Sequence, residues 1–214
     1  PLGAAGRQAV ARGREGSGDV GAREYRLQLG GRAGARGSDA VREARLGQPE
    51  GPIRLTVYEW GGPRDIRMLV PWTEIDDGAA LAGVIGQLQQ TQRRPAHPST
   101  ALGVAMEFGF ALLDQQPDCW KRTLDISGDG KANNGPRPQD VGNGPPGVTV
   151  NGLVIADVNA PTSEPIQELI AYFRAYVLRG PDAFVEMANG FDDYEAAMAR
   201  KLLRELQALA IGRL

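Results

Sequence analysis

Short apolar runs and strict alternation of apolar and polar residues predict several strands after residue 52. The segments IRLTVYEW (53–60) and IRMLVPW (66–72) predict a hairpin. Its second strand is expected to be short and to lie at a sheet edge, because Pro71 ends it. The apolar run 119–127 predicts a buried strand. The near-continuous apolar stretch 148–156 predicts a strand that is covered on both faces.

Between these strands the apolar spacing changes to three and four residues, which predicts helices over 76–90 and 163–174. Asp76 is the expected cap of the first helix, and another helix opens at Ser99 or Thr100. AFVEMA predicts a short last strand. The final helix has an apolar stripe of six residues: Phe191, Tyr194, Met198, Leu202, Leu206 and Leu209.

Strands that alternate with helices indicate an α/β fold, a three-layer α/β/α sandwich with a mostly parallel sheet and one antiparallel edge strand.

The chain has 214 residues, of which 42% are hydrophobic, enough for one core. The net charge of -2 gives no support for nucleic-acid binding. A single cysteine, Cys119, excludes a disulfide framework and a cysteine-based zinc site. The apolar runs are too short for a membrane span.

An aspartate lies between two glycines where the apolar run 119–127 ends. In a mostly parallel sheet, ligands bind at the carboxyl ends of the strands, so Asp129 is a candidate ligand-binding residue. The flanking glycines are expected to let the backbone turn sharply there. Asn133 and Asn134 add neutral oxygens nearby. Asp-Gly is also a common turn dipeptide, so a purely structural role for Asp129 stays open.

A second polar residue, Thr100, lies where a loop meets a predicted helix. It is either an N-cap or a ligand at the same edge of the sheet. Hydroxyl and carboxylate oxygens, without clustered cysteine or histidine, suit a hard cation such as Mg²⁺. Mg²⁺ usually keeps water or a partner's oxygen in part of its shell, so such a site can receive the carboxylate of another molecule.

Several ordered motifs resemble a bacterial branch of von Willebrand factor A-like proteins of unknown function. They are AREYRLQL, LTVYEWGG, PSTALGVAMEF, DISGDGKANNGP, GVTVNGLVI, YFRAYVLRGPDAFV and KLLREL. The resemblance covers roughly residues 17–206. The resemblance implies a Rossmann-like von Willebrand A fold with a metal-ion-dependent adhesion site on the upper edge of the sheet. It also implies an exported protein, although no signal peptide is visible in the sequence.

The resemblance also assigns the metal ligands, one loop at a time. Thr100 matches the threonine of the second metal-site loop, and Asp129 matches the aspartate of the third. The first loop should read Asp-x-Ser-x-Ser. In this chain Ser17 fits the first serine, Glu15 replaces the aspartate, and Asp19 replaces the second serine.

The segment around the first loop also departs from the family pattern. The five residues before it read VARGR, where a buried strand needs apolar residues, and the next helix contains GGRAGARG. Two interpretations stay open: a divergent N-terminal part with a remodelled sheet centre, or an altered reading of the N-terminal sequence. We expect an irregular or weakly ordered segment over 1–14 and the von Willebrand A-like domain over 15–214.

The leading functional hypothesis is a binding module rather than an enzyme. The loop residues of the three motifs would hold Mg²⁺ or Mn²⁺, and the cation would meet an acidic side chain of a protein partner. Asn133 and Asn134 would form the rim of that site. Two alternatives are a scaffold with a degenerate, metal-free site and a metal-dependent phosphoester hydrolase that uses Asp129 and Asp125.

Overall fold

The computed structural model describes residues 7–12, 53–92, 99–119, 121–156 and 165–211. Within these ranges six strands form one sheet: β1 Arg7–Arg12, β2 Ile53–Trp60, β3 Ile66–Ile75, β4 Arg122–Gly128, β5 Val148–Ile155 and β6 Val185–Ala188. The strand order is β3-β2-β1-β4-β5-β6. Neighbouring strands are parallel except for the antiparallel pair β2 and β3 at one edge.

Helices cover both faces of this sheet. They are α1 Gly78–Gln89, α2 Leu102–Asp114, α3 Ile166–Tyr176 and α4 Tyr194–Ile211, with 3-10 turns at Pro138–Asp140 and Phe191–Asp193. The main apolar core lies between the sheet and the pair α2 and α3. Helices α1 and α4 pack on the opposite face, over smaller apolar clusters. The predicted three-layer α/β/α sandwich is therefore confirmed.

Strand β1 lies in the middle of the sheet. Its residue Gln8 is in register with Leu55 of β2 on one side and with Thr123 of β4 on the other. Parallel neighbours on both sides give the β1 backbone hydrogen-bonding partners, which any buried strand needs. The strand lies within the segment 1–14 that we expected to be irregular. The domain boundary at residue 15 stays a prediction.

The hairpin of β2 and β3 lies at the sheet edge, as the sequence predicts, but β3 is not short. It continues past Pro71 to Ile75, and the prediction that Pro71 ends it is wrong. The register shifts between the pairs opposite Leu55 and Val57, so a β-bulge lies where Pro71 falls. A proline has no N–H to donate, and both the bulge and the edge position remove the need for that hydrogen bond.

The N-cap of the first helix lies one residue later than the sequence suggests. Asp77, not Asp76, is the N-cap of α1, and its Oδ1 accepts a hydrogen bond from the N–H of Ala80 at 2.7 Å. Both residues are aspartates. Asp77 is the cap because the N–H of Ala80, which has no partner within the helix, lies three residues after it.

The buried face of α4 also differs from the predicted apolar stripe. Ala197, Lys201 and Glu205, which follow each other at four-residue spacing, are buried, whereas Leu202 is only partly buried. A pattern-based prediction places charged residues on the solvent side of a helix. Here two of them face the sheet, because they pair with each other and with a strand residue inside the protein.

Candidate functional site

The candidate site lies at the carboxyl-end edge of the sheet, where the parallel strands β1, β2 and β4 end side by side. Gly61 follows β2, and its carbonyl oxygen accepts a hydrogen bond from the N–H of Ala101 at 2.8 Å. Asp129 follows β4, and Asn133 of the same loop is hydrogen-bonded to Thr100. The loop before α2 therefore connects the carboxyl ends of β2 and β4, with the end of β1 between them.

Two loops of this edge are joined by a reciprocal pair of hydrogen bonds. The N–H of Thr100 donates to Oδ1 of Asn133 at 2.8 Å, and the N–H of Asn133 donates to the carbonyl oxygen of Thr100 at 3.0 Å. Asn134 Nδ2 also donates to Oγ of Ser99 at 3.2 Å. Asn133 and Asn134, which are predicted rim residues, are both exposed, and their amide groups fix the Thr100 loop against the Asp129 loop.

The hydroxyl of Thr100 has an unusual environment. Its Oγ1 is buried and has no hydrogen-bond partner among the residues that the structure describes. The N-cap interpretation is wrong, because Ala101 is the N-cap of α2 and no side chain caps that helix. A buried polar group without a partner costs about 1–3 kcal/mol. A hydroxyl oxygen in this state fits a role as a ligand of an oxygen-binding cation.

Asp129 directly follows β4 and is partly buried. The expected need for glycine before it is not supported, because Gly128 lies within the strand and a Cβ there would be 3.6 Å from Cζ of Phe173, an ordinary contact. The left-handed glycine of this loop is Gly135, with φ of 75°. Its conformation is one that residues with a Cβ rarely adopt, so glycine is required at that position instead.

Helix α3 supports the loop that contains Asp129 from its other side. Tyr172 accepts a hydrogen bond at its hydroxyl oxygen from the N–H of Ala132 at 3.3 Å. Lys131 forms an ion pair with Glu168 at 3.3 Å. The loop is thus held between α3 and the Thr100 loop, which restricts the positions that the Asp129 carboxylate can take.

The first-loop candidates Glu15, Ser17 and Asp19 lie outside the described residues. Strand β1 ends at Arg12, so the segment that contains them starts from the same edge of the sheet. Their role as ligands stays a prediction. Within the described ranges no three histidine, cysteine, aspartate or glutamate side chains cluster as a metal site. At this end of the sheet, the described part of the chain has the Thr100 hydroxyl and the Asp129 carboxylate as oxygen donors.

The second carboxylate of the hydrolase hypothesis does not lie at this edge. Asp125 is fully buried within β4 and contacts Lys201 of α4. It precedes Gly128 by three positions, about 10 Å along an extended strand. The described part of the edge therefore lacks the pair of carboxylates that this hypothesis needs.

The apolar pattern does not predict a buried polar cluster that consists of Asp125, Lys201 and Glu205. Two features of the sequence point to it. Asp125 interrupts an apolar strand, and a buried carboxylate needs a partner. Lys201 and Glu205 have the spacing at which helical residues are neighbours, and both belong to the KLLREL motif.

The fold of the described residues is von Willebrand A-like. Similar solved structures include the von Willebrand factor type A protein from Catenulispora acidiphila, with TM-score 0.57, 12% identity and coverage of 97% of this chain and 43% of that chain. The pilus adhesin SpaC from Lactobacillus rhamnosus GG has TM-score 0.59 and 12% identity, with 96% and 30% covered. Proximal thread matrix protein 1 from the mussel byssus, with a zinc-occupied MIDAS motif, has TM-score 0.54 and 12% identity, with 97% and 46% covered.

The chain belongs to the family described as "Protein of unknown function (DUF1194)", whose model matches residues 9–210. The resemblance to von Willebrand A-like proteins is thus confirmed at the level of the fold. The chain spans less than half the length of each of the three structures named above. No curated protein matches it. In the described part of the chain no helix is both long and apolar enough to cross a membrane.

Proposed function

We propose that this chain is a protein-binding module that depends on a divalent cation. Thr100 and Asp129 contribute two ligands, and Ser17, Glu15 and Asp19 of the segment after β1 contribute others. The observation that supports this best is the buried Oγ1 of Thr100, which lacks a partner among the described residues. Its loop is hydrogen-bonded to the loop that contains Asp129.

The oxygen donors favour Mg²⁺ or Mn²⁺ as the cation. An ion with few protein ligands keeps exchangeable water, and an acidic side chain of a partner protein can replace that water. Asn133 and Asn134 form the rim over which the partner docks. Among proteins with this fold, SpaC is a pilus adhesin and the mussel protein has a zinc-occupied site. The first supports a binding role, and the second supports a divalent cation at a site of this fold.

The direct test of this proposal is isothermal titration of the full chain with Mg²⁺ and with Mn²⁺. We expect the wild-type chain and Thr100→Ser, which keeps a hydroxyl, to bind. Thr100→Val, which keeps the shape but removes the oxygen, should bind at least about tenfold more weakly, as expected for a lost ligand worth about 1.4 kcal/mol or more.

Asp129→Asn should weaken binding in the same way, because it removes the negative charge at the ion. Asp118→Asn is the matched control, since Asp118 is exposed and precedes the opposite, amino end of β4. Absence of cation binding by the wild-type chain, or equal binding by Thr100→Val, would contradict the proposal. The first of these results would favour the scaffold with an incomplete site, which the substitutions at Glu15 and Asp19 already suggest.

A further inference from the structure

Three ionisable side chains form a cluster between α4 and the centre of the sheet. Lys201 contacts Asp125 directly, and its Nζ lies 2.5 Å from Oε1 of Glu205. Lys201 and Asp125 are fully buried, and Glu205 is 6% exposed. The cluster does not depend on the proposed cation site, because Asp125 lies inside β4 rather than at its end.

Asn151 of β5 fixes the orientation of Glu205. Its Oδ1 accepts a hydrogen bond from the N–H of Phe184 at 3.1 Å, so its Nδ2 faces the helix. This Nδ2 donates to Oε1 of Glu205 at 2.9 Å. The same oxygen also meets Lys201, so Lys201 lies between the carboxyl groups of Asp125 and Glu205.

The charges of the cluster balance only if one proton is added. Two ionised carboxylates and one ammonium leave one negative charge, and a buried charge without compensation is strongly unfavourable. Burial lowers the pKa of Lys201, but Asp125 and Glu205 outweigh this effect and raise it, so the ammonium stays charged.

The protonated group is Glu205. Burial raises its pKa to about 8, the charge of Asp125 acts in the same direction, and Lys201 opposes both. The other charged side chains near it in the described part of the chain are Lys121, Asp182 and Arg204. With Glu205 they line a cavity of about 230 Å³. Glu205 is therefore next to space that water-sized molecules can occupy.

We propose that Asp125, Lys201 and Glu205 form a buried proton-binding site that makes the docking of α4 on the sheet sensitive to pH. Glu205 holds the proton and donates it in a hydrogen bond to Asp125. When the O–H bond of Glu205 breaks, the proton passes to water and the cluster keeps one negative charge. Helix α4 then binds the sheet less tightly.

The pH dependence of stability follows from the direction in which the pKa of Glu205 is shifted. The pKa of Glu205 is higher in the folded chain than the value of about 4.3 in an unfolded chain, so the stabilisation is complete below about pH 4.3. It is lost as the pH rises through about 8. Over this window folding takes up one proton, so the unfolding constant rises by up to about tenfold per pH unit.

Urea unfolding of the full chain between pH 5 and 8 tests this inference. The matched variant is Glu205→Gln, whose amide donates to Asp125 and accepts from Lys201 without a titrating proton. We expect the pH slope of wild type to exceed that of Glu205→Gln by up to about one proton. Glu107→Gln, an exposed change on α2, should keep the wild-type slope.

A second measurement does not depend on unfolding. Carboxyl ¹³C chemical shifts of the wild-type chain should show one buried glutamate that titrates far above the ordinary glutamate range. This signal should be absent in Glu205→Gln. Equal pH slopes for wild type and Glu205→Gln, or ordinary titration of Glu205, would overturn the proposal. Neither result would affect the cation site, which uses other residues.

Discussion

Thr100 and Asn133 are hydrogen-bonded to each other twice, although 33 positions separate them in the chain. The N–H of Thr100 donates to Oδ1 of Asn133, and the N–H of Asn133 donates to the carbonyl oxygen of Thr100. This pair brings the loop before α2 against the loop after β4. The fold itself therefore sets the position of the Thr100 loop relative to the loop that contains Asp129.

Asn133→Ala should weaken cation binding without removing a ligand. The change deletes the acceptor of the Thr100 N–H, and a lost hydrogen bond of this kind costs about 0.5–1.5 kcal/mol, or about threefold to tenfold in affinity. Titration with Mn²⁺ measures the loss. Asn143→Ala, an exposed change in the loop before β5, is the control. Unchanged affinity in Asn133→Ala would show that the reciprocal pair does not position the site.

Thr100→Val should make the cation-free chain more stable while it impairs binding. The variant replaces a buried hydroxyl that has no partner among the described residues with a methyl group of similar size. The expected gain in the free energy of unfolding is about 1 kcal/mol, in urea with EDTA present. A clear loss of stability would mean that the hydroxyl has a structural partner, and the ligand role would lose its main support.

Gly103→Ala should destabilise the fold next to the site. A Cβ at this position would lie 2.1 Å from the carbonyl oxygen of Pro136, so α2 and the loop that contains Asp129 must move apart. We expect a cost of about 1–3 kcal/mol in urea unfolding. Gly83→Ala is the opposite case, because a Cβ there meets nothing within 4 Å. Gly83→Ala in helix α1 should raise the free energy of unfolding by about 0.5–1 kcal/mol.

Lys201→Met should be far more harmful than Lys131→Met. The first change leaves Asp125 and Glu205 buried without an ammonium group, and breaking a buried pair costs about 3–5 kcal/mol. The second removes a partly exposed pair with Glu168, which is worth about 0–1 kcal/mol. Urea unfolding of both variants at pH 7 compares them. Similar losses would show that the buried cluster does not stabilise the docking of α4.

The sequence predicts the three layers and the edge hairpin of the sheet well. Apolar runs such as 148–156 are compatible with few structures other than buried strands. Strand β5 is buried along its whole length, as predicted. The position of Asp129 directly after β4 also follows from the end of an apolar run. Both features depend on local pattern alone, which is the information that a single sequence contains.

Features that depend on tertiary pairing are not predictable in this way. The buried side of α4 passes through Lys201 and Glu205 because Asp125 and Asn151 of neighbouring strands satisfy their polar groups. Strand β3 continues past Pro71 because a bulge removes one ladder hydrogen bond. The sequence leaves both an N-cap and a ligand role open for Thr100, and the structure excludes the N-cap.

The most direct test of the central claim is anomalous diffraction from crystals of the full chain soaked in Mn²⁺. We predict one strong peak at the carboxyl ends of β1, β2 and β4, about 2.0–2.3 Å from oxygens of Thr100 and Asp129, with a further oxygen from the segment after β1. A peak elsewhere, or Thr100 and Asp129 oxygens too far apart to share one ion, would contradict the account.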